Sequence, residues 1–259
     1  MAHEYPLTCL APTIAGVLGL PAPSQATGEP IAQIVSSMGP AQRLAVLAPD
    51  ALGWFPFSKW RHEMPFLDSL HRRQSILLRS VMPTITPVNF ATMVAGADQS
   101  VHGIAAFGDE FQCETLFDVV RAAASVSAGV GQPGWTGSEL LGRCADIWGK
   151  ADSNCDDDVE SAALTIAREH KPRFIIVQIG ETDSIFHKHG PSSAEVAPAI
   201  RRMDRRLRRM VGQMLPLGYA IVINSDHGQH DTETGGSHGT DSDEDALVPC
   251  TWLRADETL

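Results

Sequence analysis

The sequence has 259 residues, 43% of them hydrophobic, and a net charge of −11. This length is enough for one large hydrophobic core, and the negative charge disfavours a nucleic-acid or anionic-membrane partner. The apolar run APTIAGVLGLPAP is too short and proline-rich to span a bilayer, and no Lys or Arg precedes Arg43, so we expect no secretory signal. The five scattered cysteines lack CxxC spacing, which favours reduced thiols and a cytoplasmic location.

Short apolar runs alternate with longer amphipathic stretches along the chain. We predict strands at RLAVLA (residues 43–48), SAGVG (127–131), RFIIVQIG (173–180), YAIVINS (219–225) and ALVPCTWL (246–253). We predict helices at residues 64–74, 114–124, 157–170 and 194–214. Alternating strands and helices are typical of an α/β fold with a mostly parallel sheet that is covered on both faces.

The stretch MPTITPVNFATM, residues 82–93, contains a further helix start. Thr86 directly before Pro87 predicts a threonine N-cap with proline at the first helical position. The apolar residues that follow predict a short helix that ends near Gly96. A hydroxyl at a helix N-terminus also lies where anions bind, so the pattern leaves open whether Thr86 only caps the helix.

The predicted helix at residues 194–214 carries six arginines, at positions 201, 202, 205, 206, 208 and 209. A basic stripe of this kind is one feature of nucleic-acid-binding helices. Here Ile200, Met203 and Leu207 give the same helix an apolar face. We therefore interpret the arginines as its solvated side.

Acidic and imidazole side chains follow three of the predicted strands. They are Asp50 after the first strand, Asp183 and His187 after the strand at 173–180, and Asp226, His227 and His238 after the strand at 219–225. The carboxyl ends of parallel strands meet at one edge of the sheet, where α/β proteins place their sites. Aspartate and neutral histidine are the usual ligands of zinc and related ions. Six such residues suffice for two metals with open positions for substrate.

These motifs, in this order, resemble the alkaline phosphatase superfamily. The resemblance rests on Asp50 after the early strand, on PTITPVNFATMVAG followed by HGI, and on TDSIFH, SDHG and GSHG. It extends from residue 43 to about residue 239 and is strongest to the nucleotide pyrophosphatase/phosphodiesterase branch, with phosphonoacetate hydrolase as a near relative. It implies one metal-dependent hydrolase domain over residues 1–259. The implied fold is a three-layer αβα sandwich without a large cap.

The resemblance also implies roles for individual residues. One metal would be held by Asp183, His187 and His238, and the other by Asp50, Asp226 and His227. Thr86 would contact the second metal and act as the nucleophile that forms a phosphothreonine, and Asn89 would donate to a phosphoryl oxygen. The implied cofactors are two divalent ions, zinc first, with manganese or iron as alternatives. No role attaches to His102, His189 or His230, which we interpret as structural or surface residues.

The leading functional prediction is hydrolysis of phosphate diesters or nucleotide pyrophosphates, with a small phosphorylated or phosphonate substrate. Phosphonoacetate hydrolase or phosphomonoesterase activity on the same site is an alternative, and a catalytically dead metal-binding protein is the non-enzyme alternative. The chain has no Cys/Ser-x-Pro-x-Arg motif, which disfavours a sulfatase. Residues 11–31 resemble an element that the superfamily carries after its last histidine motif. We therefore predict a permuted order in which residues 1–40 replace that element and residues 11–20 pack beside the last strand, near residues 248–253.

Overall fold

All five apolar runs form strands of a central sheet in a computed structural model, which describes residues 4–259. The strands are β1 Glu4–Pro6, β2 Arg43–Pro49, β3 Ile76–Arg79, β4 Ser127–Gly131, β5 Ile147–Lys150, β6 Phe174–Ile179, β7 Tyr219–Asn224, β8 His230–Thr232, β9 Gly235–Ser237 and β10 Leu247–Leu253. The helices are α1 Leu10–Leu18, α2 Ala32–Met38, α3 Trp54–Trp60, α4 Pro65–Arg73, α5 Thr86–Ala95, α6 Gln99–His102, α7 Leu116–Ala122, α8 Asp156–Glu169, α9 Glu181–His189, α10 Ala197–Met214 and α11 Asp243–Ala246. A π-helical turn spans Gly137–Gly142, and 3-10 turns span Leu7–Cys9, Arg61–Glu63, Ala194–Val196 and Leu215–Leu217.

Eight strands form the central sheet in the order β1-β3-β10-β7-β2-β6-β4-β5. Every neighbouring pair is parallel except the two pairs that β10 makes, with β3 and with β7. The prediction of a mostly parallel sheet is therefore confirmed. Strands β8 and β9 form a separate antiparallel hairpin.

Each central strand contributes to two hydrophobic cores, one on each face of the sheet. On β2, Leu44 and Val46 lie in the first core, whereas Ala45 and Leu47 lie in the second. Helices α1, α2, α5 and α7 cover the first core, and α3, α4, α8 and α10 cover the second. Successive side chains of a strand point to opposite faces of the sheet. Because both sets are apolar here, helices cover both faces and form the three predicted layers.

The N-terminal segment packs on the first core. Helix α1 contributes Leu10 and Ile14 to the same cluster as Val248 and Trp252 of β10. The Trp252 indole Nε1 also donates to Ser37 Oγ on α2 at 2.7 Å. Residues 11–20 thus share a core with the last strand, and the permuted order itself stays a prediction.

Helix α10 corrects one sequence interpretation. Arg206 is buried against α8, with its Nη2 2.7 Å from Asp157 Oδ1. Its Nη1 lies 3.8 Å from Asp156 Oδ2 and 3.7 Å from Glu181 Oε2, and its Nε lies 3.7 Å from Glu160 Oε2. The assignment of all six arginines to a solvated face is wrong for Arg206, because the acidic start of α8 draws this side chain inward.

Between residues 4 and 259, no helix has both the length and the apolar character to cross a bilayer. The cytoplasmic location stays a prediction.

Candidate metal and nucleophile site

The six Asp and His candidates converge at the carboxyl edge of the three central strands. Asp50 directly follows β2, Asp226 and His227 follow β7, and His238 follows the hairpin strand β9. Asp183 and His187 lie one turn apart on α9, which follows β6. Spacing of four residues places two side chains on the same face of a helix. Because β7, β2 and β6 are adjacent in the sheet, residues far apart in the chain meet here.

Asp50, Asp226 and His227 form the first group, which we call the buried site because all three side chains are fully buried. The Nε2 atom of His227 lies 3.7 Å from Asp50 Oδ1 and 3.2 Å from Asp226 Oδ2. Neither of these two carboxylate oxygens has a hydrogen-bond partner. Buried acceptors without a donor are costly, so this group needs a cation or a proton at its centre.

Asp183, His187 and His238 form the second group, which we call the open site because the His187 side chain is 44% exposed. Asp183 Oδ1 lies 3.3 Å from His187 Nε2 and 3.9 Å from His238 Nε2. The two Nε2 atoms are 3.2 Å apart. The exposed side of this group leaves room for a substrate or a water molecule.

In each of the three histidines of the two sites, Nδ1 lies within hydrogen-bond distance of a backbone carbonyl oxygen. The pairs are His187 Nδ1 with Gly236 O at 3.1 Å, His227 Nδ1 with Gly228 O at 2.9 Å, and His238 Nδ1 with Thr84 O at 2.8 Å. A carbonyl oxygen only accepts, so each Nδ1 carries a proton, and in the neutral ring each Nε2 presents a lone pair to its site. This orientation is typical of metal-binding histidines.

The electrostatics of both groups fit a bound cation. Burial, and then the nearby Asp226 carboxylate, raise the pKa of Asp50 well above its ordinary value. Burial also raises the pKa of Asp226, and burial followed by the neighbouring His227 lowers the pKa of His238 to about 4. Without a cation, the buried site therefore disfavours its own negative charge. A divalent ion would offset this cost and match the Asp and neutral His donors.

The two sites form one centre, with a threonine hydroxyl beside it. The rings of His227 and His238 stack with their centroids 4.0 Å apart, so the buried and open sites are in contact. Thr86 Oγ1 lies 3.1 Å from His227 Nε2, at the first residue of α5.

The family model described as type I phosphodiesterase / nucleotide pyrophosphatase matches residues 44–253. This chain belongs to that family. The matched region begins in β2 and ends in β10, so it contains both sites and Thr86. The family has phosphodiesterase-type hydrolase activity, and the candidate ligand groups agree with the metal dependence of its superfamily.

Individual relatives resemble the chain over part of their length. Mouse (Mus musculus) ectonucleotide pyrophosphatase/phosphodiesterase family member 1 is 33% identical over 69 residues, which are 25% of this chain and 8% of the mouse protein. Phosphonoacetate hydrolase from Sinorhizobium meliloti 1021, solved with phosphonoacetate, superposes with a TM-score of 0.56 at 19% identity, covering 73% of this chain and 57% of that one. An inactive variant of murine ectonucleotide pyrophosphatase/phosphodiesterase 5, solved with AMP, gives 0.58 at 16% identity, covering 74% and 58%. The chain thus spans less than two thirds of these relatives, and the structural matches establish the alkaline-phosphatase-like fold.

In this family member, Thr86 lies one position away from its predicted place in the helix. Ile85 is extended and occupies the N-cap position, so α5 begins at Thr86 and Pro87 is its second residue. The predicted N-cap at Thr86 is therefore wrong, and its hydroxyl faces His227. Proline is tolerated at the second position because that N–H has no partner within a helix. The predicted end of the helix is confirmed, since Gly96 caps it in the left-handed conformation, with φ 71°.

Asn89 contacts the backbone of the preceding turn, and its role as a phosphoryl donor stays a prediction. Its side chain is fully buried, and its Oδ1 accepts from the Val81 N–H at 2.8 Å. Its Nδ2 lies within donating distance of the carbonyl oxygens of Val81, Pro83 and Ile85, at 3.2, 3.2 and 3.3 Å. The amide nitrogen therefore has backbone acceptors within reach for its hydrogens. Asn89 therefore fixes the turn that presents Thr86.

The three histidines without a family role make other contacts. His102 is fully buried and its Nδ1 accepts from the Ile104 N–H at 3.1 Å. His189 Nδ1 lies 2.8 Å from Glu195 Oε2, and His230 Nδ1 lies 2.8 Å from Asp245 Oδ1. These contacts agree with their interpretation as structural or surface residues.

The sequence analysis did not identify two glutamines that contact the candidate ligands. Gln178 Nε2 donates to Asp50 Oδ2 at 2.5 Å, and Gln229 Nε2 donates to Asp183 Oδ1 at 2.7 Å. A signal existed for Gln178, because it is the one polar residue in the buried strand FIIVQI and must find a hydrogen-bond partner there. Gln229 follows the SDHG motif with no pattern of its own.

Proposed function

We propose that this chain is a two-metal hydrolase that cleaves phosphate diesters or nucleotide pyrophosphates through a phosphothreonine intermediate. The observation that carries the proposal is the Thr86 hydroxyl 3.1 Å from His227 Nε2, beside two contacting groups of ligand-type residues. Family membership supports the reaction class.

The buried site would hold one ion through Asp50, Asp226 and His227, and the open site would hold the other through Asp183, His187 and His238. Zinc is the first candidate for this donor set, and manganese and iron are alternatives. When bound, the two ions lower the pKa of a nearby hydroxyl and stabilise negative charge on phosphoryl and leaving oxygens.

Thr86 then acts as the nucleophile. Its Oγ releases the hydroxyl proton to solvent and attacks phosphorus, so that an Oγ–P bond forms while the bond from phosphorus to the leaving oxygen breaks. The leaving oxygen takes up a proton and departs. Water then attacks the same phosphorus, breaks the Oγ–P bond and restores the Thr86 hydroxyl. Thr86 is the first residue of α5, and the dipole of a helix favours negative charge at its N-terminus.

Phosphonoacetate hydrolysis or phosphomonoester hydrolysis on the same site is the second candidate. The fold similarity to a phosphonoacetate hydrolase supports keeping it. A catalytically dead metal-binding protein is the third, and the position of the Thr86 hydroxyl beside the ligand groups argues against it.

The test compares three substrates on one preparation: bis-p-nitrophenyl phosphate, p-nitrophenyl phosphate and phosphonoacetate. The protein is stripped with a chelator and reloaded with Zn²⁺ or with Mn²⁺. We expect the diester to be hydrolysed fastest, the stripped protein to be inactive, and added metal to restore turnover. Faster turnover of the monoester or of phosphonoacetate would replace the diester assignment. Full activity after stripping would contradict the metal-dependent mechanism.

A further inference from the structure

We propose that Gln178 and Gln229 are positioning residues, one for each metal site, and that they set the metal affinity of this chain. The inference deepens the proposed function and rests on it, since it concerns the same two sites. The two residues come from different elements, Gln178 from β6 and Gln229 from the segment after β7.

Gln178 holds the outer oxygen of Asp50. Its Nε2 donates to Asp50 Oδ2 at 2.5 Å, while Asp50 Oδ1 stays without a hydrogen bond and faces His227. Both residues are almost completely buried. A donor on one carboxylate oxygen fixes the rotation of the carboxylate and leaves the other oxygen available as a ligand.

The orientation of the Gln178 amide is itself fixed by the π-helical turn after β4. Its Oε1 accepts from the Gly137 N–H at 2.5 Å, so the amide nitrogen must face Asp50. Gly137 also gives the amide its space: a Cβ at this position would lie 2.7 Å from Gln178 Cβ and 2.9 Å from Gln178 Oε1. The turn, the glutamine and the ligand therefore form one connected chain of contacts.

Gln229 contacts the aspartate of the open site. Its Nε2 donates to Asp183 Oδ1 at 2.7 Å, the oxygen that also lies closest to His187. A carboxylate oxygen has two lone pairs and can accept this bond while it serves as a ligand. A Cβ at Gly236 would lie 2.6 Å from Gln229 Oε1, so this glycine leaves room for the amide.

Gln229 is close in sequence to a residue of one site and contacts a residue of the other. It lies two residues after His227, a ligand of the buried site, yet it contacts Asp183 of the open site. Hydrogen bonds to metal-binding side chains typically change metal affinity by about 10- to 100-fold when they are removed. Each glutamine should therefore act on the affinity of one ion.

The experiment uses Gln178→Met and Gln229→Met, which keep the length of the side chain and remove its donor. The matched control is Gln74→Met, because Gln74 Nε2 donates to the Trp252 carbonyl, outside both sites. Zn²⁺ affinity is measured for the full chain by competition with a chromophoric chelator, and the visible spectrum of the Co²⁺-loaded protein reports ligand geometry. Thermal unfolding of each metal-free variant reports structural damage.

We expect Gln74→Met to bind two Zn²⁺ with the same affinities as the wild type. Each of the other two variants should weaken one binding step by about 10- to 100-fold and change the Co²⁺ spectrum. The double variant should weaken both steps, since the two sites are held by different donors. Wild-type affinity at both steps in Gln178→Met and Gln229→Met, with a measurable loss of thermal stability, would overturn the positioning role and leave the proposed function standing. Failure of the wild type to bind any of Zn²⁺, Mn²⁺ and Co²⁺ would overturn both.

Discussion

The turn before α5 places Thr86 so that its hydroxyl faces the candidate site. Asn89 ties the backbone at residues 81, 83 and 85 together, and α5 starts immediately afterwards. The hydroxyl is thereby directed at His227 without serving as a helix cap. A substitution of Thr86 should therefore change turnover without a large change in stability, so the proposed role can be tested directly.

The first prediction concerns Thr86→Ala and Thr86→Ser. Loss of the hydroxyl should reduce diester turnover by at least about 10³-fold, because the proposed nucleophile is gone. The free energy of unfolding should change by less than about 1 kcal/mol, because no capping bond is lost. Thr86→Ser keeps a hydroxyl and should keep measurable turnover. Turnover, bound metal and thermal unfolding are measured together.

The six proposed Asp and His ligands remain in both Thr86 variants, so bound metal should stay near two ions per chain. Near wild-type turnover by fully metallated Thr86→Ala would rule out the covalent mechanism. A parallel loss of metal from Thr86→Ala would instead make the threonine a ligand first and leave its nucleophilic role without support.

At the scale of elements, the contact between α8 and α10 depends on Arg206. Its side chain is 4% exposed and lies among carboxylates of α8 and α9. We predict that Arg206→Met lowers the free energy of unfolding by about 3 kcal/mol, because it leaves the buried Asp156 carboxylate without its ion-pair partner. The matched control is Arg208→Met on the exposed side of the same helix, which should change it by less than about 0.5 kcal/mol.

Chemical denaturation of the two arginine variants measures this difference. Equal and small effects would mean that water solvates the acidic groups around Arg206 when the arginine is absent.

The elements that the sequence predicted are those with a strong local signal. Strands β2, β6 and β7 are buried on both faces, so each appears as a continuous apolar run. Strands β1, β3 and β5 have three or four residues each and are partly exposed, which leaves too short a pattern to recognise. Their pairing depends on neighbours distant in the chain.

The candidate site was likewise predictable only in part. The grouping of the Asp and His residues followed from the family resemblance and from the strand ends they occupy. The position of Asn89 three residues after Thr86 does not by itself separate a residue that faces a substrate from one that holds the turn. Gln178 and Gln229 were missed because a supporting contact depends on which elements meet in space.

At the scale of the whole molecule, the candidate ligands join distant parts of the chain, from Asp50 after β2 to His238 after the hairpin. We predict that a chelator lowers the melting temperature, because ions bind the folded state and stabilise it by about 2.7 kcal/mol per site at 100 times the dissociation constant. Thermal unfolding with and without chelator, at several Zn²⁺ concentrations, measures the effect. A melting temperature that does not respond to metal would contradict it.

Asp50→Asn is the informative variant for the stripped protein. The pKa of Asp50 is raised in the fold, so its ionised form costs stability as pH rises above the unfolded value of about 3.9. We predict that Asp50→Asn is more stable than wild type at pH 7.5 in chelator, on the order of 1 kcal/mol, and less stable than wild type when Zn²⁺ is present. The same rank order in both conditions would contradict the assignment of Asp50 to a metal.

Strand β10 has a consequence for how the protein is made. It is the last strand in sequence, yet it lies inside the sheet, between β3 and β7. A ribosome delivers the chain from its N-terminus, so β3 and β7 each present an open edge until residues 247–253 have emerged. Open strand edges are templates for pairing with other chains. A nascent or truncated chain that lacks this strand should therefore be the species that aggregates and the one that chaperones retain.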